Sequence, residues 1–135
     1  MSDFRRVTDR ISVSPQIALA DVAEAARQGF ALVINNRPDG EAPDQPPSAA
    51  VEAAARDAGL AYAHIPVQGG PTPPQVDAMR DLVEKAAGPT LAFCRSGTRS
   101  IVTWALGQAM AGQPRAELVA AGRAAGYDLD PILPR

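Results

Sequence analysis

The only cysteine of this 135-residue chain, Cys94, stands where it could act as a nucleophile. It follows a short apolar run in the stretch LAFCRSGTRS, five residues before Arg99. Gly97 between them can adopt a left-handed turn or let a ligand approach the backbone closely. A tight loop that enters a helix points its N–H groups inward, and the helix dipole adds positive potential. The spacing therefore predicts an anion-binding loop in which the thiolate of Cys94 is favoured over the thiol.

A buried thiol without chemistry is the alternative, because free cysteine often packs as a small hydrophobe. Arg99 favours the reactive interpretation, since its planar guanidinium can hold two oxygens of one bound oxyanion. Arg95 either points into solvent at the mouth of the site or contacts the substrate. His64, the only histidine, is expected to be structural with a backbone partner, because an anion-loop cysteine needs no histidine base.

Strands and helices alternate along the chain, which predicts a single α/β domain over residues 1–135. The predicted strands are Asp9–Ser14, Phe30–Asn36, Leu60–Val67 and Thr90–Cys94, and the predicted helices are Ala18–Gly29, Ser48–Gly59, Thr72–Gly88, Ser100–Gly112 and Pro114–Gly126. Thr72–Gln75 has the pattern of a capping box. Helical crossovers imply a mostly parallel central sheet flanked by helices. Ligands of such sheets bind beyond the carboxyl ends of the strands, where Cys94 and the loops after Asn36 and Val67 fall.

Composition excludes several classes of partner. Charged residues make up 21% of the chain, and the formal net charge is −2. No basic stripe or tail is present, so neither nucleic acid nor a membrane surface is an expected partner. The N-terminus lacks the apolar core of a signal peptide and no apolar run is long enough to span a bilayer, so a cytoplasmic location is expected. One cysteine, one histidine and scattered carboxylates predict no disulfide, no metal site and no cofactor.

The segments CRSGTRS, VINNRPDGE and AHIPVQGG together resemble the phosphatase-like domain family that is also found fused to β-lactamase-like hydrolases. The resemblance spans roughly residues 11–128 and implies the fold of tyrosine and dual-specificity phosphatases, with members described as phosphatases or sulfurtransferases. It implies Cys94 as the nucleophile, Arg99 as the oxyanion clamp and Ser100 as the hydroxyl that assists the leaving thiolate. Arg37 is a further candidate for substrate binding. The resemblance assigns the backbone cradle to Arg95, Ser96, Gly97 and Thr98.

Two departures from the phosphatase pattern bear on the reaction. Phosphatases of this fold place five residues between cysteine and arginine, whereas four separate Cys94 from Arg99, as in rhodanese-type sulfurtransferases. The loop that carries the phosphatase general acid corresponds to PVQGGPT, which contains no acidic residue. Asp39 could supply the acid from the neighbouring loop, although Pro-Asp-Gly is also an ordinary turn sequence.

Sulfur transfer requires less acid assistance than ester hydrolysis and is therefore the expected reaction. Cys94 would take the outer sulfur of thiosulfate or of a persulfide and release sulfite or a thiolate. It would then pass the sulfur to cyanide or to a thiol acceptor such as glutathione or a protein persulfide. Hydrolysis of a phosphorylated substrate through a cysteinyl phosphate is the alternative. A module that binds an oxyanion or a persulfide without turnover is a second alternative.

Overall fold

The computed structural model describes residues 2–135, which form one five-stranded sheet with helices on both faces. The strands are β1 (Arg5–Arg6), β2 (Ile11–Ser14), β3 (Leu32–Asn35), β4 (Ala61–His64) and β5 (Thr90–Phe93). The helices are α1 (Leu19–Arg27), α2 (Ser48–Asp57), α3 (Pro73–Lys85), α4 (Thr98–Met110) and α5 (Arg115–Ala124). The strand order is β1-β2-β5-β3-β4. Strands β2 to β5 are mutually parallel, as the alternating pattern predicts.

The edge strand β1 is absent from the sequence prediction. Its two residues, Arg5 and Arg6, pair antiparallel with Val13 and Ser12 of β2. A two-residue strand with arginine at both positions has no apolar alternation to reveal it, and only the neighbouring strand makes it extended.

Both faces of the sheet are buried, which explains the nearly continuous apolar runs of its strands. Neighbouring residues of a strand point to opposite faces. Ile34 of β3 therefore packs with Met79 of α3 and Ile101 of α4, whereas Val33 packs with Val22 of α1 on the other face. α5 contributes to the same face as α3 and α4, and α2 to the same face as α1.

Cys94 leaves the sheet near its centre. The last residue of β5, Phe93, lies between Ser14 of β2 and Asn35 of β3 in the register of the parallel strands. The amide of Cys94 donates to the Ser14 carbonyl at 3.4 Å, and the amide of Asn36 donates to the Phe93 carbonyl at 2.8 Å. The backbone around Cys94 is thus fixed by both neighbouring strands.

Within residues 2–135, every helix is too short or too polar to cross a membrane.

Candidate active site

The chain between Cys94 and α4 curls around the cysteine sulfur. Gly97 adopts φ 92°, a left-handed conformation that favours glycine, and it stands immediately before the first residue of α4. Its N–H donates to Cys94 Sγ at 3.1 Å. Cys94 is 1% exposed, so the sulfur lies at the bottom of the loop. An N–H aimed at the sulfur at a helix N-terminus stabilises negative charge there.

Helix α4 begins two residues earlier than the sequence predicts, at Thr98 and not at Ser100. The left-handed Gly97 ends the loop, and helical geometry follows at once. Arg99 therefore lies in the first turn of α4, beside the mouth of the loop.

The side chains of the loop itself are mostly outside the core. Arg95, Ser96 and Thr98 are exposed. Ser96 Oγ donates to Thr98 Oγ1 at 3.0 Å and accepts from the Thr98 amide at 3.4 Å. The Arg95 carbonyl accepts from the amide of Gln16 at 3.1 Å, so the segment after β2 supports the loop from one side. The hydroxyls of Ser96 and Thr98 thus bond within the loop itself.

Arg99 is held in a bidentate ion pair with Glu41, a residue that the sequence did not indicate. Its Nη1 and Nη2 lie 2.8 and 2.9 Å from the two Glu41 carboxylate oxygens. Nη1 also donates to the Val67 carbonyl at 2.9 Å. The carboxylate raises the pKa of the Arg99 guanidinium above its ordinary value, and the nearby sulfur of Cys94 adds to the effect.

The same carboxylate joins Arg37 to the site. Arg37 is 5% exposed, and its Nε donates to Glu41 Oε1 at 2.9 Å while its Nη1 donates to Gln16 Oε1 at 3.0 Å. Hydrogen bonds from Arg99, and then from Arg37, lower the pKa of Glu41 to about 2. Glu41 is therefore a carboxylate and not a proton donor while both arginines hold it.

Ser100, the residue after Arg99, is fully buried in the first turn of α4. Its hydroxyl has no hydrogen-bond partner within residues 2–135. A buried hydroxyl without a partner is uncommon, because leaving a polar group unpaired in the interior is unfavourable. The Ser100 hydroxyl is thus not committed to the fold.

Asp39 lies apart from this group of residues. Its carboxylate accepts a hydrogen bond from the amide of Ser48 at 2.8 Å, at the N-terminus of α2. It also lines a cavity of about 480 Å³ with His64, Gln68 and Gln75, a cavity that none of residues 94–100 lines. The structural contact of Asp39 agrees with the turn interpretation, and its part in proton transfer stays a prediction.

His64 has the backbone partner that the sequence analysis expects, since its Nε2 lies 2.8 Å from the Arg37 carbonyl. Trp104, in the middle of α4, is 5% exposed and belongs to the core. Among the described side chains, no three His, Cys, Asp or Glu residues converge as a metal site would require.

Tyr127 is a second residue near the loop that sequence reasoning missed. Its hydroxyl donates to the Ser96 carbonyl at 2.8 Å and accepts from Arg5 Nη1 at 3.0 Å. The Arg5 guanidinium also lies 5.3 Å from the centroid of the tyrosine ring. Nothing in the local sequence indicates this contact, because it joins residues more than thirty positions apart.

The fold and the cysteine loop define this protein as a phosphatase-like domain. A candidate phosphatase from Neisseria meningitidis is 32% identical, with a TM-score of 0.85 over 97% of this chain and 94% of that one. The active form of Tk-PTP has a TM-score of 0.73 at 18% identity, covering 95% of this chain and 88% of that one. A Cys-to-Ser variant of TpbA from P. aeruginosa, in complex with phosphotyrosine, has a TM-score of 0.65 at 17% identity, covering 95% and 76%. The last two similarities establish the fold alone.

The chain belongs to the family of phosphatase-like domains of beta-lactamase hydrolase-like proteins, whose family model matches residues 3–111. A beta-lactamase hydrolase-like protein of Agrobacterium fabrum is 38% identical over 127 residues, which cover 92% of this chain and 29% of the relative. One from Xylella fastidiosa is 39% identical over 125 residues, covering 91% and 29%. The chain therefore spans about three-tenths of the length of these curated relatives. The family that the motifs indicate is confirmed.

Proposed function

We propose that this domain hydrolyses phosphate monoesters with Cys94 as the nucleophile. The observation that carries the proposal is the hydrogen bond from the Gly97 amide to Cys94 Sγ at 3.1 Å, inside a loop at the N-terminus of α4. The phosphatase-like family and the solved relatives favour this reaction over the sulfur transfer expected from the sequence. No comparison supports sulfur transfer.

In the first step the Cys94 thiolate attacks the phosphorus of the ester. A sulfur–phosphorus bond forms and the phosphorus–oxygen bond to the leaving group breaks, with the electron pair going to the leaving oxygen. Backbone amides of the loop and the planar guanidinium of Arg99 would hold the phosphoryl oxygens as charge redistributes. Arg99 must first release Glu41, because both of its terminal nitrogens are engaged by that carboxylate.

In the second step water attacks the phosphorus of the cysteinyl phosphate: an oxygen–phosphorus bond forms, the sulfur–phosphorus bond breaks, and water returns a proton to the acid of the first step, releasing inorganic phosphate and the Cys94 thiolate. Ser100 would donate a hydrogen bond from its hydroxyl to the departing sulfur, the role that the family resemblance gives it. The absence of another partner for this hydroxyl within residues 2–135 supports that role. The leaving oxygen of the first step takes a proton, for which Asp39 is the candidate on the cavity side. Asp39 must leave the Ser48 amide to do so.

The test is the hydrolysis of p-nitrophenyl phosphate and of a phosphotyrosine peptide by purified protein. We expect turnover by the wild type, none by Cys94→Ser, and a fall in kcat of about 10²–10³ for Arg99→Met, which removes an oxyanion donor. If Asp39 is the acid, Asp39→Asn slows release of the poor peptide leaving group more than release of p-nitrophenolate. Full activity of Cys94→Ser, or no turnover by the wild type, would overturn the proposal.

Sulfur transfer stays the second candidate because the loop has four residues between Cys94 and Arg99. It is tested by the intact mass of reduced protein after incubation with thiosulfate. A gain of one sulfur atom, absent from Cys94→Ser and removed by cyanide as thiocyanate, would establish the persulfide. If the wild-type protein takes up no sulfur but hydrolyses the phosphate esters, sulfur transfer from thiosulfate is excluded.

A further inference from the structure

We infer that Tyr127 is a positioning residue for the nucleophile: it holds the Ser96–Gly97 peptide unit so that its N–H faces Cys94. The inference rests on the proposed function, in which Cys94 is the nucleophile. Tyr127 lies after α5, outside the residues 3–111 that match the family model.

The geometry of one peptide unit carries the inference. In a trans peptide the carbonyl of one residue and the N–H of the next point in opposite directions in the same plane. The Ser96 carbonyl accepts from the Tyr127 hydroxyl at 2.8 Å, and the Gly97 N–H donates to Cys94 Sγ at 3.1 Å. The two hydrogen bonds therefore leave opposite edges of one planar peptide unit. Rotating this peptide away from Tyr127 would turn its N–H away from the sulfur.

Close packing leaves the loop little freedom to rotate on that side. A Cβ atom at Gly97 would overlap the Tyr127 hydroxyl and lie 2.9 Å from Tyr127 Cζ. The tyrosine thus contacts the loop at its left-handed residue, the point where the backbone is otherwise most free to change conformation.

Arg5 strengthens the donor. Its Nη1 donates to the Tyr127 hydroxyl at 3.0 Å, so the hydroxyl receives one hydrogen bond and passes on another. Hydrogen bonds in such a chain polarise one another. Burial raises the pKa of Tyr127, which keeps the hydroxyl protonated and able to donate. Arg99 of α4 also places positive charge near the Cys94 sulfur, and its ion pair with Glu41 offsets part of that positive charge.

The test compares Tyr127→Phe with Tyr62→Phe. Tyr62 is the matched control because it is also half-buried and its hydroxyl is hydrogen-bonded, to Ser48 and Asn35, but it does not contact the loop. Since Cys94 is the only cysteine, the pH dependence of thiolate absorbance at 240 nm, after subtraction of the matching Cys94→Ser protein, reports this residue alone. Steady-state kinetics with p-nitrophenyl phosphate are measured on the same proteins.

For Tyr127→Phe we expect the midpoint of the thiolate signal to move to higher pH, and kcat to fall about tenfold, the equivalent of one lost hydrogen bond, with KM little changed. Tyr62→Phe is expected to leave the thiolate midpoint and kcat at their wild-type values, whatever its effect on melting temperature. Arg5→Met keeps the tyrosine in place and moves the midpoint the same way by less, so it carries the test if Tyr127→Phe does not fold. A Tyr127→Phe midpoint equal to that of the wild type overturns the inference. The thiolate signal needs no substrate, so this result stands apart from whether esters are hydrolysed.

Discussion

At the scale of single residues, Glu41 engages both terminal nitrogens of Arg99, the arginine beside the cysteine loop. It offers Arg99 two carboxylate oxygens at 2.8 and 2.9 Å, the contact that a phosphoryl group would make. It also neutralises part of the charge of Arg37, whose Nε shares one of those oxygens. In the proposed reaction, a phosphoryl group would therefore compete with Glu41 for the guanidinium of Arg99.

Replacing this carboxylate with an amide tests the competition. We expect Glu41→Gln to bind inorganic phosphate about tenfold more tightly by isothermal titration calorimetry, because Arg99 no longer leaves an ion pair to reach the ligand. Since the pKa of Glu41 is about 2, the carboxylate is ionised at every pH from 5 to 8, and the gain is expected to be constant over that range.

Glu52→Gln is the control for Glu41→Gln, because Glu52 pairs with Arg56 on the exposed side of α2 and does not contact the loop. Weaker phosphate binding by Glu41→Gln than by the wild type would mean that Glu41 orients Arg99 more than it competes for it.

At the scale of elements, the junction between the loop and α4 depends on Gly97. Its φ of 92° is unfavourable for a residue with a side chain, and a Cβ there also meets Tyr127. Gly112, just after the other end of α4, has the same φ of 92° with open space where its Cβ would be. Comparing alanine substitutions at the two glycines therefore distinguishes the effect of backbone strain from that of steric overlap.

We expect Gly112→Ala to lower the free energy of unfolding by about 1 kcal/mol through backbone strain alone and to leave ester hydrolysis unchanged. Gly97→Ala is expected to lose more stability than that, and to lose at least tenfold in kcat because the amide turns away from the sulfur. Urea denaturation and p-nitrophenyl phosphate kinetics measure the two effects. Equal behaviour of the two variants would refute a steric role for Tyr127 at the loop.

At the scale of the whole molecule, the two ends of the chain meet behind the anion loop. Arg5 of β1 and Tyr127 after α5 lie 122 positions apart in the sequence, and Arg5 Nη1 donates a hydrogen bond to the Tyr127 hydroxyl at 3.0 Å. The segment after α5 is anchored by Leu129, which is 1% exposed and packs against Gly122, where a Cβ would lie 2.7 Å from Leu129 Cδ1. Arg115 of α5 pairs with Asp130 beside it, at 2.6 Å.

Truncating Leu129 should destabilise the packing of the segment after α5 against Gly122. We expect Leu129→Ala to lower the free energy of unfolding by about 2–5 kcal/mol, the range for truncating a fully buried leucine. Ile132→Ala, at a position 46% exposed in the same segment, is expected to change it by no more than about 0.5 kcal/mol. Urea denaturation followed by tryptophan fluorescence gives both values. Similar losses for the two variants would mean that the segment is not anchored through Leu129.

The sequence by itself determined the parallel strands, the helices and the local arrangement of residues 94–100. Apolar runs and helical periods located the four parallel strands and the five helices, and Thr72 and Gln75 form the predicted capping box, with the Thr72 amide 3.0 Å from Gln75 Oε1. The contact between Cys94 and Gly97 and the start of α4 at Thr98 lie within residues 94–100, so the spacing of these residues was enough to predict that the sulfur, the turn and Arg99 lie close together. These features depend on neighbours in the chain, which a sequence displays directly.

Only the tertiary structure decided which distant residues complete the site. Glu41 reaches Arg99 across 58 positions, and Tyr127 reaches Ser96 across 31, because the parallel sheet brings its carboxyl-end loops to one edge and α5 returns the chain to that edge. Asp39, two positions from Glu41, instead turns to the amide of Ser48. Which of two neighbouring carboxylates faces the arginine depends on the path of a loop, and that path is set by packing and hydrogen bonds that leave no periodic signal in the sequence.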